Sequence, residues 1–143
     1  MVIRAVIEMT KREEKTLTEF LSALQMERDA IISFSLDGII AGNNKKEEIL
    51  RKLEYLKAEK EKLMENAEDR EAIVADETMR SLNGQLAVVM KEVKTAMDKN
   101  MKLLSFSIDH VRSSIENIIG HISNVGYGKK REDLSSVLLS KVI

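Results

Sequence analysis

The sequence predicts an all-α protein, an elongated antiparallel helical bundle or coiled coil of three long helices, the third being the longest. The chain of 143 residues contains no proline, so no helix is forced to break. It is 33% charged and 43% hydrophobic with 3% aromatic residues, a composition typical of helical bundles with an aliphatic core. Apolar residues also recur every three or four positions, which places them on single helical faces.

The first helix is predicted from Val2 to Ser33 by this spacing. Its middle, Thr10 to Thr16, is polar all round, so we expect that part to protrude beyond its partners or to fray. A tight corner follows. Ser35 suits the N-cap of the second helix, and Asp37 lies in its first turn, where the helix dipole favours a carboxylate.

The second helix is predicted to continue to about Ala67, although Gly42, Asn43 and Asn44 weaken its middle. Residues 45–71 are dense in charges of both signs, and we interpret them as a solvated outer face. Residues 67–77 are expected to form a loop.

The third helix is predicted from Met79 to Val125, with Asp76 or Ser81 as its cap, and it continues through Asn83-Gly84. The first two helices are expected to form a hairpin that packs against its upper half. Its lower half carries an apolar stripe close to the period of a left-handed supercoil: Leu104, Ile108, Val111, Ile115, Ile118, Ile122 and Val125. Because this helix is the longest and most regular, everything else is expected to be organised around it.

Gly126 is a natural residue to end that helix, so residues 1–125 are predicted to form the bundle and residues 126–143 a flexible amphipathic C-terminal arm. The arm has an apolar set that fits one helical face: Leu134, Val137, Leu138 and Val142. It is too short to be a stable helix alone, so it either docks on the bundle or awaits a partner. Tyr127, between two glycines, is either an exposed contact for another protein or a turn-packing residue.

Composition and motifs exclude several classes of function. The net charge of -1 argues against general nucleic-acid binding, and the absence of cysteine removes disulfides and thiolate chemistry. We find no phosphate-binding loop, no catalytic constellation and no cofactor motif. His110 and His121 are expected to be surface residues, not metal ligands. No apolar run is long enough for a signal peptide or membrane insertion, which predicts a cytoplasmic protein.

Asn100 interrupts the apolar series of the third helix. A polar residue at a core position can fix register or bond to a neighbouring helix, and the alternative is a recognition element. Met90, Met97 and Met101 line one side of the same helix. We interpret them as core filling, with an adaptable binding groove as the alternative.

Four stretches together resemble the FlgN family, flagellar type III export chaperones for hook-associated (hook–filament junction) proteins. They are residues 26–37 at the first corner, Lys46-x-x-x-Leu50 to Leu53, Asn100-x-x-Leu103-Leu104-x-x-Ser107-Ile108-x-x-Val111, and Tyr127-Gly128 with the tail that follows. The resemblance implies no catalysis. It implies a chaperone that binds the C-terminal segments of junction proteins, keeps them unassembled and presents them for export.

The resemblance also suggests roles for the arm. Leu134, Val137, Leu138 and Val142 would bind the substrate protein by folding on it, and Tyr127 would dock on the export gate. The ATPase complex of the export apparatus is a further partner, and a homodimer stays open. One alternative is a structural coiled-coil protein that self-associates without an export role. Another is a metal-binding or enzymatic bundle, which predicts metal retention through His110 and His121.

Overall fold

The computed structural model describes residues 2–122. They form four helices: α1 (Val2–Ile32), α2 (Leu36–Glu65), α3 (Arg70–Ala75) and α4 (Glu77–Ile122). The predicted all-α class with three long helices, the third longest, is confirmed. The predicted helix end at Val125, the domain boundary after it and the arm lie outside the described residues. No helix within residues 2–122 combines the length and apolarity needed to cross a membrane.

Local sequence signals define two of the helix starts as predicted. The Gly38 N–H donates to Ser35 Oγ at 3.1 Å, which caps α2, and Asp37 lies in the first turn. The Met79 N–H donates to Asp76 Oδ2 at 3.1 Å, which satisfies a free donor at the start of α4. Helix α4 runs unbroken through Gly84, which confirms its predicted continuity.

The loop predicted between the second and third helices is wrong in its centre. Helix α3 occupies Arg70–Ala75 and buries Ile73 against Val6 and Met79. This segment has no glycine or proline, and a helix of six residues is enough to direct its one buried aliphatic side chain inward. The short helix therefore closes the end of the bundle where α1 and α4 begin.

The polar middle of α1 neither protrudes nor frays, which corrects a second prediction. Thr10 and Thr16 are both buried, and their hydroxyls donate to Val6 O at 2.8 Å and to Arg12 O at 2.7 Å. A threonine that bonds to its own helix can be buried without an unsatisfied group. Glu13 is also covered, because Lys60 Nζ lies 3.0 Å from its Oε1.

The central element of the bundle is α1, not α4. Helix α1 packs along both α2 and α4, whereas the backbones of α2 and α4 approach each other at isolated positions at most. The main core cluster draws on all three: Leu17, Phe20, Ala23 and Leu24 of α1, Ile49 of α2 and Val93 of α4. The order is up-down-up as predicted, so α1 and α4 run in the same direction, with Val6 near Met79 and Leu24 beside Asn100.

Lysines of α2 pair with glutamates of α1, so residues 45–71 are only in part a solvated face. Three pairs follow one another along the antiparallel helices: Lys60 with Glu13, Lys52 with Glu19 and Lys46 with Glu27. The first and last of these are largely buried, and the middle pair is exposed. Charge patterning on α2 therefore contributes to the register of the α1–α2 hairpin.

Candidate functional site

A buried polar network joins the three long helices at one level of the bundle. Asn100 of α4 is 4% exposed, and its Nδ2 donates to Leu24 O at 2.8 Å and to Glu27 Oε1 at 3.0 Å. The other oxygen of Glu27 lies 2.6 Å from Lys46 Nζ of α2. Gly42 of α2 faces Glu27, since a β-carbon added there would lie 3.5 Å from Glu27 Cβ. The carboxylate is thus enclosed by the three helices.

This network contains the hydrogen bond that the sequence predicts for Asn100 to a neighbouring helix. A sliding of α4 along α1 by one turn would separate its amide from both acceptors, so the contact favours a single register. The alternative role of Asn100 in recognition of another protein stays a prediction.

Below Asn100 an open apolar groove lies between α4 and the corner that joins α1 to α2. We call it the corner groove. It encloses about 480 Å³ and is lined by Ile31, Phe34, Leu36, Ile39, Ile40, Asn43, Leu104, Ser107, Ile108 and Val111. Among these, Phe34, Leu36 and Ile40 are exposed, and the four α4 residues are half-buried. An exposed aliphatic and aromatic surface of this kind suits the apolar face of another helix.

The corner itself holds Phe34 in an unusual backbone conformation. The Ser35 N–H donates to Ala30 O at 2.9 Å and the Phe34 N–H donates to Ile31 O at 3.1 Å, which together form a Schellman motif. Phe34 occupies the left-handed position of this motif, with φ of 54°. Glycine is usual there, because a β-carbon in the left-handed region costs about 1 kcal/mol.

The side chain of Phe34 is 60% exposed despite this unfavourable backbone. Its ring lies 6.5 Å from that of His110 on α4, measured between centroids and with the planes tilted by 40°. This contact connects the two sides of the corner groove at its rim. The contacts within residues 2–122 therefore explain only part of why a large aromatic side chain stands at this position.

Helix α4 continues past the corner groove to Ile122. From Val111 to Ile122 the helix extends by about 16 Å at 1.5 Å per residue. The apolar stripe predicted for this half is only partly correct: Ile118 is 60% exposed, and Ile119 is buried instead. A straight helix of 3.6 residues per turn returns to the same face at either position, so spacing alone does not choose between them.

The other residues singled out by the sequence do not line the groove. Met90, Met97 and Met101 are exposed, so the interpretation as core filling is wrong. His110 and His121 are exposed as well. No group of three or more His, Asp or Glu side chains within residues 2–122 is arranged to hold a metal ion.

The substrate-binding and docking residues predicted from the sequence lie outside the described residues. They are Tyr127, Leu134, Val137, Leu138 and Val142. The sequence reasoning also missed the corner groove, because its lining comes from the end of α1, the start of α2 and the middle of α4. One signal was available: the motif after α1 carries phenylalanine where a tight helix end favours glycine.

The chain was compared with protein families, curated proteins and solved structures. A family model described as FlgN protein matches residues 1–133. No curated protein and no solved structure matches the chain. The matched residues include the whole described bundle and Tyr127, and they stop one residue before Leu134.

Proposed function

The chain belongs to the FlgN family of flagellar export chaperones, and from this premise we propose that its clients are the hook-associated proteins of the hook–filament junction. It binds their C-terminal segments in the cytoplasm, keeps them unassembled and delivers them to the flagellar type III export apparatus. The family match over residues 1–133 carries this proposal. The bundle supports it, because its exposed apolar surfaces can take up the apolar face of an amphipathic segment.

The proposal assigns the arm, residues 126–143, to the client. Leu134, Val137, Leu138 and Val142 provide an apolar face that is buried when the client binds. Tyr127 contacts the export gate, and the ATPase complex is a further partner of the loaded chaperone. The spacing of the apolar residues and the two glycines around Tyr127 support these roles.

Deleting residues 126–143 tests the assignment of the arm. We expect the helical circular dichroism signal to stay nearly unchanged, because the bundle core lies within α1, α2 and α4. Capture of a purified hook-associated protein should be lost. Retained capture by the truncated chain contradicts the role of the arm.

Two point variants separate client binding from export. Leu138→Asp should weaken client binding, through lost apolar burial of about 1 kcal/mol or more. The matched control is Ser136→Asp, which adds the same charge to the arm without removing an apolar group. Tyr127→Ala should leave client binding intact and reduce export. If Tyr127→Ala and Leu138→Asp weaken client binding equally, Tyr127 belongs to the client site.

One observation favours a second candidate, a structural coiled coil that self-associates without an export role. Leu104, Ile108 and Val111 form a half-buried apolar stripe on α4 that a second copy could cover. Light scattering separates the two functions. A stable higher oligomer at all concentrations, without affinity for hook-associated proteins, would support the second.

A further inference from the structure

We propose that the Asn100–Glu27–Lys46 network holds α4 in its register on α1 against a slide of one heptad, which is seven residues. The network thereby determines which side chains of α4 line the corner groove. This inference does not depend on the proposed function. Three observations support it: the repeat of the core positions, the place of the polar side chains in that repeat, and the exposed methionines of α4.

The core positions of α1 and α4 follow a heptad repeat, since their spacing alternates between four and three residues. In α1 these buried or half-buried positions are Val6, Thr10, Glu13, Leu17, Phe20, Leu24, Glu27 and Ile31. In α4 they are Leu82, Leu86, Val89, Val93, Ala96 and Asn100. A heptad repeat returns the same face to the partner helix after seven residues, or about 10 Å, so the repeat alone permits more than one register.

The observed register places residues of α1 beside residues of α4 that are 73 positions later in the chain. Glu27 accepts a hydrogen bond from Asn100 at this separation, and Phe20 shares the main core cluster with Val93. A slide of α4 by seven residues towards the end of α1 would bring Leu86 beside Phe20 and Val93 beside Glu27. The main core would stay apolar, and because the hydrophobic effect is non-directional, it distinguishes weakly between the two registers.

The polar side chains do distinguish the registers. After that slide, Glu27 would face Val93 without its amide donor, and a buried acceptor without a donor is costly. A slide in the opposite direction would bury the Asn100 amide beside Phe20, among apolar side chains. Lys46 Nζ lies 2.6 Å from the Glu27 carboxylate and holds it at this level from α2. Only the observed register therefore satisfies the whole network.

Two exposed methionines of α4 show what the network opposes. Met97 and Met101 lie seven residues before Leu104 and Ile108, which line the corner groove. A slide of one heptad towards the end of α1 would move these methionines into the groove and remove part of their surface from water. Their burial favours the slid register. The register of α4, and with it the lining of the groove, therefore depends on the polar network.

Replacing the whole network by apolar side chains tests this role. The triple variant Glu27→Met, Lys46→Met and Asn100→Leu leaves no buried polar group without a partner at this level. We expect its midpoint in urea denaturation to equal or exceed that of the unmodified chain, because apolar replacement of a complete buried network is often neutral or stabilising. We also expect it to populate a slid register beside the observed one.

Cysteine pairs report the register, since the chain contains no cysteine. Gln25→Cys on α1 is combined in turn with Glu92→Cys, Lys99→Cys or Phe106→Cys, at three exposed positions of α4 that are seven residues apart. Gln25 and Lys99 lie at one level of the surface groove between α1 and α4, so a short thiol cross-linker should join this pair in the observed register. Glu92 takes the place of Lys99 after a slide towards the end of α1, and Phe106 after the opposite slide.

Moving the amide by one heptad tests the direction of the slide. In the double variant Val93→Asn with Asn100→Val, the amide meets Glu27 only after α4 slides towards the end of α1. We expect the cross-link between positions 25 and 92 to increase at least about tenfold over the unmodified network, since an amide bond to a buried carboxylate is worth at least that ratio. Asn100→Val alone is the matched control. It removes the amide without offering it one heptad away, so its increase should be smaller.

The opposite results are equally clear. If the triple and double variants both cross-link only between positions 25 and 99, the apolar core fixes the register and the inference is wrong. If the triple variant unfolds at a lower urea concentration than the unmodified chain, or if both variants lose their helical circular dichroism signal, the network serves stability and the inference is likewise wrong.

Discussion

The two halves of α4 have the same kind of apolar spacing, but apolar residues on either side of Asn100 differ in burial. Above Asn100, α1 lies against the helix, so that Val93 is buried in a core shared by three helices. Below Asn100, the corresponding face at Leu104, Ile108 and Val111 is half-buried and lines an open groove. The groove lies where α1 ends and α2 begins, since Ile31, Phe34 and Leu36 form its other side.

The contrast shows how unequally one helix can bury residues that follow the same apolar spacing. Apolar residues in the upper half stabilise the bundle by being removed from water on folding. In the lower half, Leu104, Ile108 and Val111 are half-buried and keep part of their apolar surface in contact with water. The Asn100–Glu27–Lys46 network lies between the halves and holds them in one register with α1 and α2.

The largest expected effect on stability is in the Asn100–Glu27–Lys46 network, which lies between the halves of α4. Lys46→Met removes the cation beside the buried Glu27 carboxylate and should lower the free energy of unfolding by about 3 kcal/mol. Lys52→Met is the control, because Lys52 pairs with Glu19 at the surface and its loss should change stability by less than about 1 kcal/mol. Urea denaturation followed by circular dichroism measures both. Equal losses of stability in the two variants would mean that the Glu27 carboxylate does not need the Lys46 cation.

A matched pair of valines compares the halves themselves. Val93→Ala should destabilise the protein by about 2 kcal/mol, since it removes two buried methyl groups and leaves a cavity. Val111→Ala removes the same groups from the half-buried groove and should reduce stability by less than about 1 kcal/mol. The same denaturation assay applies. Similar losses of stability at the two positions would mean that Val93 and Val111 are equally buried, which contradicts the difference between the halves.

Two asparagines of α4 test how much the buried network contributes to stability. Asn100→Leu leaves Glu27 without its amide donor, so we expect a loss of about 1.5 kcal/mol. Asn83→Leu changes an exposed residue of the same helix and should alter stability by less than about 0.5 kcal/mol. If Asn100→Leu instead stabilises the protein, the network serves specificity and not stability.

The smallest expected effect is an increase in stability on replacing Gly84. Gly84 has open space where a β-carbon would stand, so Gly84→Ala should stabilise the protein by about 0.7 kcal/mol through its higher helix propensity. The same substitution at Gly38 should have the opposite sign, because a β-carbon there would lie 2.8 Å from Ala30 Cβ and 2.9 Å from Ser35 Oγ. Thermal denaturation of both variants checks the difference in sign.

Local signals in the sequence were sufficient to predict the long helices. These signals are the absence of proline, the three-to-four spacing of apolar residues and the caps at Ser35 and Asp76. The structure contains both caps as predicted. The family resemblance likewise depends on short stretches, and the match over residues 1–133 confirms it. Such features are readable because hydrogen bonding and periodicity within one helix need no knowledge of its partners.

Features that depend on distant residues were misread. Thr10 and Glu13 lie in a polar stretch, yet Thr10 is buried and Glu13 is partly covered by Lys60 of α2. Met97 and Met101 follow a helical face, yet no neighbouring helix covers them enough to bury them. The corner groove needs the end of α1, the start of α2 and the middle of α4 together, so no single stretch of sequence contains it.

The sequence by itself determined that this chain forms long helices, where most of them begin and end, and to which family it belongs. Only the tertiary structure decided which helix is central, which polar residues are buried and where the apolar surface remains open. The physical reason is that helix formation is local, whereas burial depends on what lies opposite each face. In α4 that is the middle of α1 at Val93 and Asn100, and the open corner groove at Leu104, Ile108 and Val111.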